Sequence, residues 1–330
     1  MQRWRGLDDL PGNLGRCVAT IGVFDGVHRG HQALISRTVE LARRRGLPSV
    51  LVTFDPHPAE VVRPGSHPAQ LTTLRRKAEL VEQLGIDTFC VLPFTPEFSR
   101  LPADEFVHEI LVERLHVAAV VLGSNFTFGH HAEGNMTLLR ELGHRFGFVT
   151  EAADLLTVPG DNGADEALTF SSTYIRSCID AGDVVAAAAA LGRPHRLEGI
   201  VVRGDGRGRE LGYPTANLST PRFAAVPADG VYACRFVHQD PGRPGSRVLR
   251  SAVSVGTNPT FSGRERRVEA FVLDINQDLY GQRVGLDFVA RLRDMEKFDS
   301  VEALVEQVHE DVRQTRELLA ARPDDPGANG

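Results

Sequence analysis

Apolar and polar positions follow a regular order along the first half of the chain. Short apolar runs such as "CVATIGVF" (17–24) predict buried strands, whereas "TLRRKAELVEQLG" (73–85) has the spacing of an amphipathic helix. Strands alternating with helices favour a parallel sheet covered on both faces. The predicted strands are 17–24, 48–58, 87–94, 117–126 and 148–158. The predicted helices between them are 28–46, 73–85, 103–115 and 135–147.

The pattern changes in the second half. Two short helices are predicted at 172–182 and 183–192, and from Leu197 onward short β-like runs are separated by glycine and proline turns. These runs predict a small antiparallel barrel or sandwich. They cover 197–204, 230–236, 248–256, 266–275 and 283–293. We therefore predict two domains, residues 1–186 and 187–330.

A long helix is predicted at the end of the second domain, over residues 300–319. Asp299 and Glu302 have the spacing of a capping box. One apolar stripe is predicted for this helix, formed by Val301, Leu304, Val305, Val308 and Val312.

Composition and charge exclude several classes of partner. The net charge is -6, whereas proteins that bind nucleic acid or anionic membranes usually present a basic face. No secretory signal is visible, and no apolar stretch approaches the ~20 residues of a membrane span. We expect a cytoplasmic protein that binds neither nucleic acid nor a membrane. The sequence does not decide the oligomeric state, and a homo-oligomer is one of the open alternatives.

Cysteine and lysine usage narrows the chemistry further. The four cysteines lie far apart without a CxxC motif, which predicts buried, reduced thiols. Lys77 and Lys297 are the two lysines of the chain, and neither follows a glycine as a P-loop requires. Phosphate binding would therefore depend on arginine, histidine, helix N-termini or a metal.

The stretch "GVFDGVHRGHQAL" (22–34) places His28 and His31 on one face of the first helical turn. Helix N-termini attract anions, and imidazole N–H groups there can hold phosphate oxygens. Gly26 and Gly30 remove side-chain bulk, which would let a nucleotide approach the backbone. The alternatives are a helix start with incidental histidines, or a metal pair, for which no third ligand stands at recognisable spacing.

Three further stretches of the first half carry candidate contacts. "TFSSTYIRS" (169–177) offers a second phosphate site with hydroxyls and a guanidinium, although it also suits an ordinary N-cap. "VLGSNFTFG" (121–129) ends a strand with a polar residue and two aromatic rings, or is a turn with core aromatics. His57 in "FDPHP" (54–58) contacts a substrate or stiffens a loop. The residues concerned are Ser171, Ser172, Thr173, Arg176, Asn125, Phe126 and Phe128.

The second half contains a glycine-rich segment followed by "PTAN" (214–217). Its glycines would form a flexible flap, although glycine-rich turns alone are weak indicators. Thr215 and Asn217 point the same way in an extended chain, and their oxygens could hold Mg²⁺; a proline-containing turn is the alternative. The glycines are Gly204, Gly206, Gly208 and Gly212.

Glu269 in "RRVEAFVLDI" (266–275) lies in a run that is apolar on both faces. A buried carboxylate needs a partner or a task, and desolvation would suit it to general-base work on an alcohol. The alternative is a structural salt bridge to Arg266 or Arg267.

Together these motifs resemble the prokaryotic bifunctional riboflavin kinase/FAD synthetases, essentially from end to end. The stretches that carry the resemblance are "GVFDGVHRGHQAL", "TFDPHP", "SNFTFG", "SSTYIR", "GDGRGRELGYPTANL", "DGVYA", "VGTNPTF", "VEAFVLD" with "LYG", and "LRDMEKF". This resemblance implies two folds: a Rossmann-like nucleotidyltransferase sheet in the first domain and a riboflavin kinase barrel in the second. The barrel would make FMN and ADP from riboflavin and Mg-ATP, and the sheet domain would transfer AMP from ATP to FMN, giving FAD and pyrophosphate.

The resemblance also implies roles for individual residues. His28 and His31 match the nucleotidyltransferase histidines, Thr215 and Asn217 the magnesium pair, and Glu269 the base for the ribityl hydroxyl. We expect flavin contacts from His57, Phe126, Phe128, Asn258 and Arg293. The expected ATP-binding set is Gly22, Phe24, Asp25, Gly30, Asn125, Ser171, Ser172, Thr173, Arg176, Gly204, Gly208, Arg209 and Gly212.

The chain departs from the family pattern in one region. Many members have an aspartate where Asn125 stands and an Arg-x-Gly-Asp segment where this chain has "AEGN" (132–135). Two other functions stay open: one working transferase with a barrel that only binds flavin, and an adenylyltransferase for another phosphate ester.

Overall fold

A computed structural model describes the chain as two compact units, Met1–Pro68 with Thr73–Ser171, and Ala69–Thr72 with Ser172–Gly330. The division by contacts falls after Ser171, so both short helices predicted before the barrel belong to the second unit. A functional boundary at 186/187 stays a prediction. The structure describes residues 1–9, 15–153, 157–158, 168–204, 212–238, 247–260, 263–275 and 277–321.

The first unit contains a six-stranded sheet in the order β1-β4-β3-β2-β5-β6, with every neighbouring pair parallel. The sheet confirms the predicted α/β class. Its edge strand β1 was not predicted. The strands are β1 (Gln2–Arg5), β2 (Cys17–Ile21), β3 (Ser49–Asp55), β4 (Thr88–Pro93), β5 (Val117–Gly123) and β6 (Val149–Ala153).

Helices cover both faces of this sheet, because its strands are apolar on both sides. Val18 and Ala19, consecutive in β2, pack into different core clusters, one on each face. Fully burying a side chain of the size of Ile35 on α1 stabilises the fold by roughly 1.5–3 kcal/mol. The helices are α1 (Arg29–Arg45), α2 (Pro58–Val62), α3 (Leu74–Gln83), α4 (Ala103–Phe106, continued as a π-helix over Val107–Arg114) and α5 (Met136–Phe146).

The strand order places the opening motif where ligands bind in such sheets. β2 lies between β3 and β5, so crossovers run to one side through β3 and β4 and to the other through β5 and β6. This reversal leaves a crevice at the carboxyl end of β2, where α1 begins.

The end of the first unit differs from its prediction. The single strand expected over 148–158 stops at Ala153, where β6 ends. Thr157–Val158 forms β7, which pairs antiparallel with β8 (Leu168–Thr169).

The second unit is a closed antiparallel barrel in the order β10-β13-β12-β11-β14-β9. Closure decides between the barrel and the sandwich left open by the sequence. Tyr232, Phe236 and Phe288 are fully buried in its core. Two helices, α6 (Ser172–Asp180) and α7 (Val184–Leu191), precede it. The strands are β9 (His195–Val202), β10 (Ala216–Ser219), β11 (Gly230–His238), β12 (Arg247–Thr260), β13 (Gly263–Val272) and β14 (Arg283–Arg293).

The terminal helix α8 (Val301–Ala321) confirms the predicted element but not its details. Ser300, rather than Asp299, accepts the capping hydrogen bond, from the Ala303 amide at 3.1 Å. The predicted apolar stripe is wrong in part: Val301 is 55% exposed, and the buried positions are Asp311, Thr315 and Leu319.

Cys17, Cys90, Cys178 and Cys234 are free and buried, as predicted. Burial raises the pKa of the Cys17 and Cys90 thiols to about 12 each. Within the part of the chain that the structure describes, none of the helices is long and apolar enough to cross a membrane.

Candidate active sites

His28 is the N-cap of α1, with an extended backbone (φ −71°, ψ 170°). Its Nδ1 accepts the His31 amide N–H at 3.4 Å, and the side chain is buried. The two imidazole rings stack with centroids 3.6 Å apart and planes 23° apart. The predicted shared face is therefore confirmed, with both imidazoles at a helix N-terminus that attracts anions.

The loop between β2 and α1 is tightly folded. Phe24 and Val27 have positive φ values of 50° and 42°, and Gly26 has a φ of 83°. For the two side-chain-bearing residues this left-handed backbone is strained, so the surroundings must hold it. Phe24 is buried and its ring meets His31 edge-on at 5.2 Å, while Asp25 is 4% exposed.

Gly30 leaves room for the imidazole ring of His28. A Cβ atom at this position would lie 3.1 Å from His28 Cε1 and 3.2 Å from Nδ1, tighter than ordinary contact. At Gly22 a Cβ atom would lie 3.3 Å from the Phe24 ring. Both glycines thus let aromatic rings of the motif pack against the main chain.

The carboxyl end of β5 carries the next predicted group. Asn125 is exposed, and Phe126 is stacked on Phe128 with centroids 5.7 Å apart. Phe128 is buried and packs against Phe106, so it has the core position named above as the alternative. Phe126 is partly exposed and is the ring that a ligand can reach.

His57 caps the short helix α2, because its Nδ1 accepts the Ala59 amide at 3.1 Å. This contact matches the loop-stiffening alternative for His57. A substrate contact stays a prediction.

The predicted second phosphate segment crosses the division between the units. Ser171 belongs to the first unit, and α6 begins at Ser172, which confirms a helix start here. Thr173 is exposed, and the Arg176 Nε donates to the Ala69 carbonyl at 2.7 Å within the second unit. Phosphate binding by this segment stays a prediction.

In the barrel, Thr215, Asn217 and Glu269 come together. Asn217 on β10 lies directly opposite Glu269 on β13. The Thr215 Oγ1 lies 3.4 Å from Glu269 Oε2, and Arg267 Nη1 lies 3.6 Å from Glu269 Oε1. The structure therefore joins two predicted motifs that are 54 residues apart in sequence.

The predicted burial of Glu269 is wrong. Its side chain is 32% exposed, because β13 alternates: Val268 and Ala270 face the core, whereas Glu269 lies on the outer face. A carboxylate in contact with solvent can accept a proton from a substrate hydroxyl without the desolvation that the sequence suggested.

Gly204 is needed beside Asn217. A Cβ atom at Gly204 would lie 2.5 Å from Asn217 Cγ and 2.7 Å from its Oδ1. Gly212 has a φ of 83°, a backbone conformation that favours glycine. Gly206, Gly208 and Arg209 lie outside the described residues.

Two predicted flavin contacts, Arg293 and Asn258, lie on barrel strands, and their contact with flavin stays a prediction. Arg293 forms a two-pronged ion pair with Asp311 on α8, at 2.9 and 2.8 Å. Its guanidinium carbon also lies 5.7 Å from the centre of the Phe298 ring. Asn258 lies in β12, opposite Glu265, and its side chain is outside the described residues.

Among the described residues, no group of three or more histidine, cysteine or acidic side chains could hold a metal ion. The donor set of Thr215, Asn217 and Glu269 instead consists of hydroxyl, amide and carboxylate oxygens. Hard cations such as Mg²⁺ prefer such ligands and usually complete their shell with water and phosphate oxygens. This oxygen-only set fits magnesium.

Sequence reasoning missed one polar cluster beneath the first motif. Lys77 on α3 and Thr53 on β3 both donate to the Val23 carbonyl, at 2.6 and 3.1 Å. The signal available in the sequence was a lone lysine in the middle of an amphipathic helix, in a chain whose other basic side chains are almost all arginine.

A parallel α/β sheet with stacked histidines, and a barrel with an oxygen-rich cluster, define a nucleotidyltransferase-like unit joined to a kinase-like barrel. A family model for FAD synthetase matches residues 11–164, and one for riboflavin kinase matches residues 191–319.

Known proteins resemble the chain over nearly its whole length. The bifunctional riboflavin kinase/FMN adenylyltransferase of Escherichia coli K12 is 34% identical over 303 residues, 92% of this chain and 93% of the relative. The bifunctional riboflavin kinase/FMN adenylyltransferase of Pseudomonas fluorescens is 38% identical over 321 residues, which cover 97% of this chain and 98% of the relative. A crystal structure described as a macrolide-efflux protein from Streptococcus pneumoniae matches with a TM-score of 0.83 and 32% identity, covering 96% of this chain and 99% of that one. The chain belongs to the bifunctional riboflavin kinase/FMN adenylyltransferase family.

Proposed function

We propose that the two halves of this chain catalyse successive steps of flavin cofactor synthesis. Residues 187–330 phosphorylate riboflavin with ATP, giving FMN and ADP. Residues 1–186 transfer AMP from a second ATP to FMN, giving FAD and pyrophosphate. The FAD synthetase model matches within the first of these halves and the riboflavin kinase model within the second, which supports this assignment.

Adenylyl transfer needs no protein nucleophile in this scheme. An FMN phosphate oxygen attacks the α-phosphorus of ATP, the bond to the β-phosphate oxygen breaks, and pyrophosphate leaves with that electron pair. His28 and His31 direct imidazole N–H groups to the phosphates and offset the negative charge that develops there. Their stacking at the start of α1 supports this role.

Residues around the histidines complete the nucleotide site. Gly22, Phe24, Asp25 and Gly30 shape the loop that faces ATP, and Asn125 approaches its phosphates. The segment from Ser171 through Ser172 and Thr173 to Arg176 binds the β- and γ-phosphates with hydroxyl and guanidinium donors. Phe126 and His57 form the flavin side of the site, and the buried Phe128 supports it by stacking against the Phe126 ring.

In the barrel, Glu269 accepts the proton of the ribityl 5′-hydroxyl as its oxygen attacks the γ-phosphorus of ATP, and ADP leaves. Thr215 and Asn217 hold Mg²⁺, which neutralises phosphate charge when bound. The observation that carries this proposal is the 3.4 Å approach of Thr215 Oγ1 to Glu269 Oε2. Gly204, Gly208, Arg209 and Gly212 contribute to ATP binding. Asn258 and Arg293 contribute to flavin binding.

The test is a time course with purified protein, riboflavin and Mg-ATP, in which the flavins are separated by chromatography. We expect riboflavin to fall, FMN to rise and then fall, and FAD to accumulate. A protein that makes FAD from added FMN but none from riboflavin would have a barrel that only binds flavin. Failure with FMN, together with adenylylation of another phosphate ester, would favour the broader adenylyltransferase.

A further inference from the structure

Lys77 is a buried lysine directly behind the nucleotide-site loop. Its side chain is 6% exposed, and its Nζ donates to the Val23 carbonyl at 2.6 Å and lies 3.5 Å from Thr53 Oγ1. Lysine is almost never fully buried unless it is paired, because removing an ammonium group from water is costly. The burial of Lys77 therefore depends on the groups that its ammonium contacts.

Charges around Lys77 oppose the cost of its burial. Burial lowers the pKa of Lys77, while the nearby carboxylates of Asp25 and Asp55 act in the opposite direction and favour the ammonium form. Asp25 lies in the strained loop and Asp55 ends β3. The ammonium group thus links α3, the end of β3 and the loop before His28.

The carbonyl that Lys77 contacts lies between the end of β2 and the strained loop that leads to His28. Val23 is two residues beyond the end of β2, immediately before Phe24 with its positive φ. Thr53 Oγ1 donates to the same carbonyl at 3.1 Å, so one acceptor is held by two side chains from different elements. This clamp fixes the point from which the strained loop turns toward His28.

We propose that Lys77 is a positioning residue for adenylyl transfer: with Thr53, it anchors the Val23 carbonyl and thereby places His28 and His31 for ATP. The proposal rests on the adenylyltransferase function proposed above. Lys77 acts through the main chain and does not contact the substrate. A shift of about 1 Å at a reacting group can cost 100-fold in rate, so loss of the clamp would act strongly at the histidines.

The variants Lys77→Met and Thr53→Val, and the two combined, test this proposal in the full chain. Methionine keeps an unbranched side chain without the charge or donors, and valine keeps the shape of threonine without its hydroxyl. Ser49→Ala is the matched control, because the buried Ser49 hydroxyl donates to Asp87 at 2.6 Å at the opposite end of the same strand. Adenylyl transfer from FMN, riboflavin phosphorylation and thermal unfolding are measured for each protein.

We expect Lys77→Met to lower kcat/KM for ATP in adenylyl transfer by about 100-fold. Riboflavin phosphorylation by the same preparation should stay within about twofold, which also reports folding of the second unit. Thr53→Val should lower the adenylyl-transfer value by a smaller factor. The double variant should lose less than the product of the single losses, because both side chains hold one carbonyl.

Three outcomes would overturn the positioning role. These are an unchanged kcat/KM in Lys77→Met, an equal loss in the Ser49→Ala control at equal loss of thermal stability, and strictly multiplicative losses in the double variant. If Lys77→Met does not fold, Thr53→Val alone decides, since an unchanged kcat/KM for ATP there contradicts the clamp. Wild-type protein that makes no FAD from FMN would instead contradict the proposed function.

Discussion

Asn217 and Glu269 lie directly opposite each other on neighbouring barrel strands, β10 and β13. One amide and one carboxylate are therefore fixed by strand register rather than by a loop, and the backbone pairing sets their separation. If Asn217 is a metal ligand and Glu269 a base, as proposed, this arrangement needs little reorganisation when ATP and the flavin bind.

Glu269→Gln should abolish most riboflavin phosphorylation while leaving the fold intact. General-base groups contribute about 10²–10⁴-fold to rate, and the side chain is one-third exposed, so its replacement costs little stability. We expect kcat for FMN formation to fall by at least about 100-fold. Initial rates with riboflavin and Mg-ATP measure it, with FAD formation from added FMN as the internal reference.

Arg267→Gln is the matched control for Glu269, because it removes the 3.6 Å ion pair and keeps the carboxylate. We expect its rate of FMN formation to stay within about tenfold of wild type, since an exposed ion pair contributes at most about 1 kcal/mol. An equal loss in both variants would assign Glu269 to a structural salt bridge.

Gly204→Ala should damage the proposed magnesium site by displacing Asn217. The added Cβ would overlap the Asn217 side chain at 2.5 Å from Cγ, so the amide must move. We expect kcat/KM for Mg-ATP in FMN formation to fall by about tenfold or more. Gly256→Ala is the control, since its Cβ would meet Met295 Cε at an ordinary 3.7 Å. Equal activity in Gly204→Ala and wild type would show that the amide position is unimportant.

His28 variants should separate capping from catalysis. Asparagine is a preferred N-cap residue, so His28→Asn keeps an acceptor for α1 while removing the imidazole, whereas His28→Ala removes both. We expect both variants to accumulate FMN and lose FAD formation by about 100-fold or more. His28→Ala alone should also lose about 0.5–2 kcal/mol in free energy of unfolding. FAD formation retained in His28→Asn would limit His28 to a capping role.

The buried cysteines predict a pH dependence of stability at alkaline pH. Burial raises the pKa of Cys17 and Cys90 to about 12, whereas an unfolded thiol titrates near ~8.5. The folded state binds more protons between these values, so the free energy of unfolding should fall as pH rises from about 9 toward 12. Denaturant titrations of wild type and Cys17→Ala at several pH values in this range measure how steeply the free energy of unfolding falls with pH. The fall should be shallower in the variant. Equal slopes in the two proteins would contradict a contribution from Cys17.

Periodicity and motif order predicted much of the molecule from the sequence. Alternating apolar runs and helical segments gave the parallel sheet, because strands buried on both faces leave continuous apolar stretches. The spacing of His28 and His31 gave their shared face, since three residues make nearly one helical turn. These features depend on neighbours in sequence, which a pattern records directly.

Features that depend on tertiary neighbours were not predictable in the same way. Glu269 was expected to be buried because its run is apolar on both faces, yet the outer face of a closed barrel is partly exposed to solvent. Ser300 caps α8 instead of Asp299, a choice between adjacent residues that both suit the position. In the sequence, Lys77 is distinctive only for lacking a P-loop glycine, because nothing local indicates that its ammonium group contacts a carbonyl 54 residues away.

If the two reactions use separate sites on one chain, two variants that each lack one activity should complement each other. The most direct test incubates His28→Asn, Glu269→Gln and an equal mixture of both with riboflavin and Mg-ATP, and measures FAD. We predict that His28→Asn alone stops at FMN, Glu269→Gln alone leaves riboflavin unchanged, and the mixture makes FAD from riboflavin. A mixture that makes no FAD, although each variant retains its other activity, would contradict two independent sites linked by free FMN.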